Sequence, residues 1–180
     1  QTQEQEEEEE VGKDDLSVTW DIQVVDGSCP TCTFFFPAGS SALARFGECD
    51  SSCKSFSLED RSIAGLSASA FKGLQHVATL SLRGNDISRV GCSGLASLTH
   101  LEVLDLSFNN ISRILPGELA GLKGLKSLDL RYNKLESMEF GAWRGVHNLR
   151  LLQIGYNPWV CRVLFPNTLH FVDTSWGRDA

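Results

Sequence analysis

The feature that most constrains this chain is an internal repeat of 24 residues. The pattern LxxLxLxxNxL begins at residues 53, 77, 101, 125 and 149 and keeps its spacing without an insertion. The copy at Leu101 is complete, with Leu104, Leu106, Asn109 and Ile111, whereas the first copy is degenerate. Three further apolar columns follow in register: Leu66, Val90, Ile114 and Met138; Phe71, Leu95, Leu119 and Trp143; Leu74, Leu98, Leu122 and Val146. Such a register predicts stacked, equivalent coils.

The LxL segment of each repeat predicts a short strand, because both leucines point to one side and the residues beside them to the other. The asparagine follows where the chain turns, and its amide can bond backbone groups and the amides of neighbouring repeats. One coil cannot bury its leucines alone, so coils stack at about 4.8 Å and form a parallel sheet. We expect a right-handed α/β solenoid with irregular or 3₁₀ coils behind the strands.

This pattern resembles the leucine-rich repeat family in its extracellular form. The resemblance implies a curved horseshoe of five repeats at residues 53–161, with the parallel sheet on the concave face. It also implies a disulfide-bonded N-terminal cap at residues 16–52 and a C-terminal cap at residues 162–180. The segment Asn157-Pro-Trp-Val-Cys161 resembles the opening of a cysteine-rich cap, but no cysteine follows it. We therefore expect apolar side chains to cover this end: Leu164, Phe165, Leu169, Phe171 and Trp176.

The acidity of the chain is concentrated in its first fifteen residues. They carry six Glu, two Asp and one Lys, which accounts for the whole net charge of −7. We predict a disordered tail at residues 1–15, followed by a strand within Ser17–Val25. The remaining residues are neutral overall, which argues against a nucleic-acid partner. No apolar run approaches the ~20 residues of a membrane span.

Four cysteines precede the repeats, and three interpretations of them are open. Cys29, Cys32, Cys49 and Cys53 form two disulfides, hold a zinc ion, or supply a redox centre at Cys29-Pro-Thr-Cys32. The family resemblance favours two disulfides, and of the three pairings we favour Cys29–Cys49 with Cys32–Cys53. The other two cysteines, Cys92 and Cys161, lie three coils or about 14 Å apart, too far to pair. We expect Cys92 to be a small buried residue, and the alternative is that it pairs with a cysteine of another molecule.

The sheet residues that alternate with the core leucines form the candidate binding surface. Aromatic residues and arginine are the usual energetic anchors of interfaces. The candidate ligand-binding residues are Arg83, Asp105, Phe108, Asp129, Arg131, Tyr132, Gln153 and Tyr156. The alternative is that the aromatic residues merely cover the asparagine turn.

Nothing in the sequence favours catalysis or a cofactor. Asp105 and Asp129 should be neighbours, but an open sheet does not shift a carboxyl pKa as an enclosed pocket does. His76 and His100 share a repeat position without a third metal ligand, so we interpret them as rim histidines. No GxSxG, P-loop, HExxH or GxGxxG motif occurs.

Asn110-Ile111-Ser112 is an N-glycosylation sequon, which together with the cysteines favours a secreted protein. The chain resembles the ectodomains of toll-like receptors and the lamprey variable lymphocyte receptors. That resemblance implies innate immune recognition of a microbial cell-surface glycan or lipid, or of an extracellular protein. The alternative is a matrix or adhesion protein of the small leucine-rich proteoglycan kind.

Overall fold

A computed structural model describes residues 21–23, 32–36, 40–46, 49–68, 70–91, 94–139, 141–159 and 170–173. The described residues form twelve short strands. In chain order they are β1 Asp21–Gln23, β2 Thr33–Phe35, β3 Ala42–Phe46, β4 Ser55–Ser57, β5 Gly65–Leu66, β6 Thr79–Ser81, β7 Val103–Asp105, β8 Arg113–Ile114, β9 Ser127–Asp129, β10 Ser137–Met138, β11 Leu151–Gln153 and β12 Phe171–Asp173.

Six of these strands form one parallel sheet in the order β12-β11-β9-β7-β6-β4. Phe56, Leu80, Leu104, Leu128 and Leu152 lie opposite one another on adjacent strands, each 24 residues after the last. The predicted parallel-sheet solenoid is therefore confirmed. The pairing of β12 with β11 sets Phe171 opposite Leu151, so the last coil is 20 residues long.

The core is a continuous column of aliphatic side chains behind the sheet. The central residue of each repeat strand is at most 1% exposed, while its neighbours face outward. The columns after the asparagine close the coil from the other side, with Ile114, Leu119 and Leu122 fully buried. Each coil thus buries its leucines against the next coil, as a solenoid requires.

The backs of the coils are turns and two-residue strands, and no helix occurs within the described ranges. Two of these strands, β8 and β10, form a parallel pair behind the main sheet. The coils approach closely here. A Cβ added to Gly121 would lie 2.6 Å from the Cα of Ala96, a distance that no side chain tolerates.

The asparagines fasten successive turns together through the backbone. Asn133 accepts a hydrogen bond from the N–H of Ile111 at 3.0 Å, and its amide donates to the carbonyls of Leu106 and Leu130. Asn109 and Asn157 repeat this arrangement in their own coils. The predicted role in satisfying turn backbone groups is confirmed. Among the described residues, the expected bonds between neighbouring amides do not occur.

The N-terminal cap contributes strands β1, β2 and β3 to a second sheet, in the order β1-β2-β3-β5, whose fourth strand belongs to the first coil. Strand β1 falls within the region where a strand was predicted. Phe34 of β2 is fully buried, and its ring packs on Phe56 and Phe71 of the first coil, with centroids 6.0 and 5.8 Å away. The cap therefore continues the core of the repeats rather than lying on its surface.

The predicted disulfide pairing is wrong, because Cys32 bonds to Cys49. Strands β2 and β3 are antiparallel neighbours, with Thr33 opposite Phe46. Cys32 just before β2 and Cys49 just after β3 therefore meet at one end of the hairpin, with Cα atoms 4.7 Å apart. Cys53 is also disulfide-bonded and fully buried.

The same bond rules out the zinc and redox interpretations of this cluster. A thiol that is oxidised to a disulfide is not a zinc ligand. A Cys29/Cys32 redox centre would pair those two residues with each other, whereas Cys32 is bonded to Cys49.

Several expectations fall outside the described residues. They concern the acidic tail at 1–15, Cys29, Cys92 and Cys161, and the apolar residues Leu164, Phe165, Leu169 and Trp176. Of the C-terminal cap, β12 is described, and its Val172 packs against the core. In the described part of the chain there is no helix of the length and apolarity that a membrane crossing needs.

Candidate functional site

Three aromatic rings form a stacked ladder across the open face of the sheet. The ring centroids of Phe108 and Tyr132 are 4.2 Å apart, with planes inclined by 16°. Those of Tyr132 and Tyr156 are 4.3 Å apart, with planes inclined by 5°. Each of the three residues remains 41–44% exposed, so their ring edges face solvent. Such stacking is a favourable geometry for aromatic pairs.

The backbone holds this aromatic ladder in place through a left-handed conformation. Phe108, Tyr132 and Tyr156 have φ of 56°, 55° and 55°, a region that bulky residues rarely adopt. The N–H groups of Phe108 and Tyr132 donate to the carbonyls of Arg131 and Gly155 in the following coil. This bonding fixes the conformation of Phe108 and Tyr132, and the same φ at Tyr156 places the three side chains in one column.

Arg83 continues the aromatic ladder at its N-terminal end. Its guanidinium carbon lies 4.0 Å from the centroid of the Phe108 ring, a cation–π contact. Its Nη1 also donates to the hydroxyl of Ser107 at 3.0 Å. The residue in the left-handed position of this repeat is Gly84, with φ of 69°, so no side chain competes for the face of Phe108.

The two carboxylates of the site are neighbours, as predicted, since Asp105 and Asp129 pair across adjacent strands. Arg131 binds Asp129 with its Nε at 3.0 Å and its Nη2 at 2.6 Å. Asp105 accepts a hydrogen bond from the N–H of Ser107 at 2.8 Å. The two repeats therefore differ. Asp129 is neutralised by Arg131, whereas Asp105 has Ser107 at the position equivalent to Arg131.

The hydroxyl of Tyr132 has a raised pKa. Loss of solvent around its hydroxyl raises the pKa above the usual value of 10.0. The hydrogen bond and the charge of Tyr156 act in the same direction, while Arg131 and Arg83 oppose them. The Tyr132 hydroxyl is therefore neutral at physiological pH and can both donate and accept a hydrogen bond.

The structure brings the other predicted residues to the same sheet face. Gln153 is half-buried and lies opposite Asp129. Val103, which is 40% exposed on the same face, was not among the predicted binding residues, although its position at a strand start placed it on this face. The position of Ser107 in its repeat places it on this face, but its side chain is fully buried. Its hydroxyl accepts the hydrogen bond from Arg83.

Asn110 of the sequon lies just after the buried asparagine of its turn and is half-buried. Its amide nitrogen is 3.3 Å from a carboxylate oxygen of Asp86. The rim histidine His100 contacts the carbonyl of Gln75 through Nδ1 at 2.8 Å, and His76 is half-buried.

Taken together, these contacts describe an open surface of ring edges, hydroxyls and charged groups. It offers large, rigid contact area with hydrogen-bonding capacity, which is the composition of protein recognition surfaces.

Comparison with solved structures finds the same fold in receptor ectodomains. The chain is 31% identical to the protein in the TLR13–ssRNA13 complex, covering 65% of this chain and 16% of that one, with a TM-score of 0.56. It is 25% identical to a protein in the Drosophila Toll–Spatzle complex of development and innate immunity, covering 58% and 14% of the two chains, with a TM-score of 0.56.

A third similar structure is the leucine-rich repeat domain of APL1B, at 23% identity, with coverage of 66% and 35% and a TM-score of 0.59. The chain thus spans 14–35% of the length of these proteins. Sequence comparison with curated proteins finds no match.

The leucine rich repeat family matches residues 51–103 and 99–158, which together are more than half of the chain. The 24-residue register of the sheet, the buried leucines and the asparagine bonds lie within the matched segments. The chain therefore belongs to the leucine-rich repeat family.

Proposed function

We propose that this chain is a secreted recognition protein that binds its ligand through the open sheet face. The observation that carries the proposal is the aromatic ladder of Phe108, Tyr132 and Tyr156. Three successive repeats place a bulky residue in a left-handed conformation, which costs of order 1–3 kcal/mol each. Backbone strain of this kind clusters at ligand sites. The same position is left-handed in the two preceding repeats, at Asp60 and Gly84, but among the described residues it carries a large exposed apolar side chain only in the three aromatic residues.

The ligand class we propose is a microbial surface molecule or an extracellular protein, in innate immune recognition. One similar structure supports a protein ligand, since it is the complex of Toll with Spatzle in development and innate immunity. The TLR13 structure contains single-stranded RNA, which is a different class of ligand, and it supports only the recognition role. The disulfide of the cap supports an oxidising, extracellular location. The sequon at Asn110 fits the same location, and its glycosylation is part of the proposal. The proposal assigns no reaction to the chain.

The experiment compares two double variants in the same binding assays. Tyr132→Ala with Tyr156→Ala removes two rings of the aromatic ladder. Alanine adds no backbone strain there, since tyrosine is equally unfavourable at positive φ. Arg144→Ala with His147→Ala is the matched control, because both residues are exposed on the back of a coil. Probes are whole bacteria, purified peptidoglycan and lipopolysaccharide, and fibrillar collagen.

We expect the tyrosine variant to lose binding at least tenfold, with little change in melting temperature, while the control binds as the native protein does. If both variants bind as tightly as the native protein, the ligand site lies on the backs of the coils or on the N-terminal cap. Binding to collagen alone would favour the matrix protein over immune recognition.

A further inference from the structure

Asp105 lies in the middle of the sheet face, and no cationic side chain among the described residues forms an ion pair with it. Its equivalent in the next repeat, Asp129, is held by Arg131 through three contacts of 2.6–3.0 Å. Asp105 has Ser107 at that position, which supplies a backbone N–H but no cation. Across the described residues, no ion pair includes Asp105.

The arginine that could have approached Asp105 is engaged elsewhere. Arg83 belongs to the adjacent repeat, but its guanidinium lies against the ring of Phe108 and donates to the hydroxyl of Ser107. The carboxylate is half-buried between the strands of Ser81 and Asp129. Partial burial strengthens its attraction to any cation that a partner brings.

The sheet face as a whole is acidic. Its outward positions, from residue 55 to residue 156, hold Glu59, Asp60, Asp105 and Asp129 against Arg83 and Arg131. The two arginines are already bound to Phe108 and to Asp129. This balance repels phosphate-bearing polymers and attracts cationic groups.

Beside this charge lies apolar surface that a flexible segment can cover. Val103 is 40% exposed at the start of the strand that carries Asp105. The aromatic ladder begins in the same coil, at Phe108, and extends over the next two coils. The side chains of Arg83, Phe108, Tyr132 and Tyr156 form a row in which successive groups are 4.0, 4.2 and 4.3 Å apart. An extended chain of about four residues spans this row, at ~3.3 Å per residue.

We propose that the sheet face binds an extended basic segment of a protein, with a Lys or Arg of that segment paired to Asp105. Apolar or aromatic side chains of the segment, on the two sides of that basic residue, pack against Val103 and against the aromatic ladder. This inference rests on the proposed function, because it assumes that the open face is the ligand site, and it narrows the ligand to a cationic protein.

The test selects a random twelve-residue peptide library on the immobilised full chain. Peptides recovered from the native protein are sequenced, and the best binders are measured against four proteins. They are the native chain, Asp105→Asn, the control Glu139→Gln and the Tyr132→Ala, Tyr156→Ala double variant. Glu139 is exposed on the back of a coil, so its substitution makes the same charge change away from the sheet face. A single-stranded 13-mer RNA is measured in parallel.

We expect the selected peptides to be enriched in Lys and Arg over the unselected library. Asp105→Asn should weaken peptide binding about tenfold, because the basic residue of the peptide then has no carboxylate to pair with. Glu139→Gln should leave peptide binding unchanged. Binding by the native chain should fall as salt rises, and more steeply than binding by Asp105→Asn.

Three results would overturn the inference: no enrichment in basic residues, equal binding by Asp105→Asn, or binding of the RNA alone. If the peptides depend on the two tyrosines but not on Asp105, the sheet face remains the ligand site and only the charge pairing fails. If they depend on neither, the proposed function fails as well.

Discussion

The Tyr132 ring is stacked on that of Tyr156 with centroids 4.3 Å apart and planes inclined by 5°. These are the two tyrosines of the chain. Because they come from equivalent positions of neighbouring coils, the spacing of their rings follows that of the strands, which is about 4.8 Å. Because the same repeat position is aromatic in neighbouring coils, the rings stack. The hydroxyls of the two tyrosines are then close enough to interact.

The first prediction concerns the pKa of Tyr132. In Tyr156→Phe the remaining tyrosine signal belongs to Tyr132 alone, so absorbance at 295 nm reports its titration directly. We expect its pKa to be lower in this variant than in the native protein, because the hydrogen bond and the charge of Tyr156 are gone. Loss of solvent around the hydroxyl remains and keeps the pKa above 10.0. In Tyr156→Phe with Arg83→Ala, removing a cation should raise it again.

The same shift predicts a loss of stability at high pH. The folded chain keeps a proton on Tyr132 that the unfolded chain releases near pH 10. The unfolded state therefore binds fewer protons, and the free energy of unfolding falls as pH rises through this range. Urea unfolding at pH 8, 9, 10 and 11 should show a shallower decline for Tyr132→Phe than for the native protein. Identical slopes would exclude Tyr132 as a source of the decline.

A second prediction tests the asparagine bonds. Asn133→Ala removes the acceptor of the Ile111 N–H and the donor to the carbonyls of Leu106 and Leu130, all of which are buried. Leaving such groups unsatisfied costs about 1–3 kcal/mol each, so we expect the free energy of unfolding to fall by ~3 kcal/mol or more. Chemical denaturation measures this change. Lys134→Ala, at the exposed adjacent position, is the control and should be nearly neutral.

The structure of the repeat region was predictable because the same residue pattern recurs in five copies, so each structural inference applies to equivalent positions of every copy. Period-two leucines, turn asparagines and the pairing of Asp105 with Asp129 all follow from a fixed offset of 24 residues. The disulfide pairing was not, since it depends on a β2–β3 hairpin that occurs once and has no repeat to align.

Two features of the repeats themselves also escaped prediction. The left-handed backbone of Phe108 had a signal, because Gly84 stands at the same position of the preceding repeat. Buried Glu118 had none, since Gly94 and Ala142 occupy its position in the flanking repeats. It accepts hydrogen bonds from the N–H groups of Leu115 and Gly91 and forms an ion pair with Arg89.

A third prediction concerns the close approach of the coil backs. Gly121→Ala would place a methyl group 2.6 Å from the Cα and the carbonyl oxygen of Ala96, which belong to rigid backbone. We expect a loss of about 1–3 kcal/mol in the free energy of unfolding. Gly65→Ala is the matched control, because its new methyl would meet Ala42 at an ordinary 3.5 Å. A similar loss in both variants would contradict the prediction, because it would show that the close approach to Ala96 is not what lowers the stability.

The sequon supplies a fourth prediction. Asn110 makes one long side-chain contact, at 3.3 Å to Asp86, and Ser112 is exposed, so the folded coil leaves room for a glycan. Expression in secreting eukaryotic cells should give a protein whose intact mass falls on endoglycosidase treatment. Asn110→Gln and Ser112→Ala should each abolish that difference, since the sequon needs both residues. An unchanged mass in the native protein would contradict glycosylation at this site.

The fifth prediction separates the two disulfide pairings. Cys32→Ser leaves its partner as a free thiol, which iodoacetamide labels after mild denaturation without reductant. Digestion with trypsin and an aspartate-directed protease then separates Cys49, in residues 46–49, from Cys53, in residues 50–54. The Cys32–Cys49 bond predicts the label on Cys49, whereas label on Cys53 would restore the pairing expected from sequence. Removing both residues in Cys32→Ser with Cys49→Ser should lower the free energy of unfolding by about 3 kcal/mol, because the bond closes a loop of 17 residues.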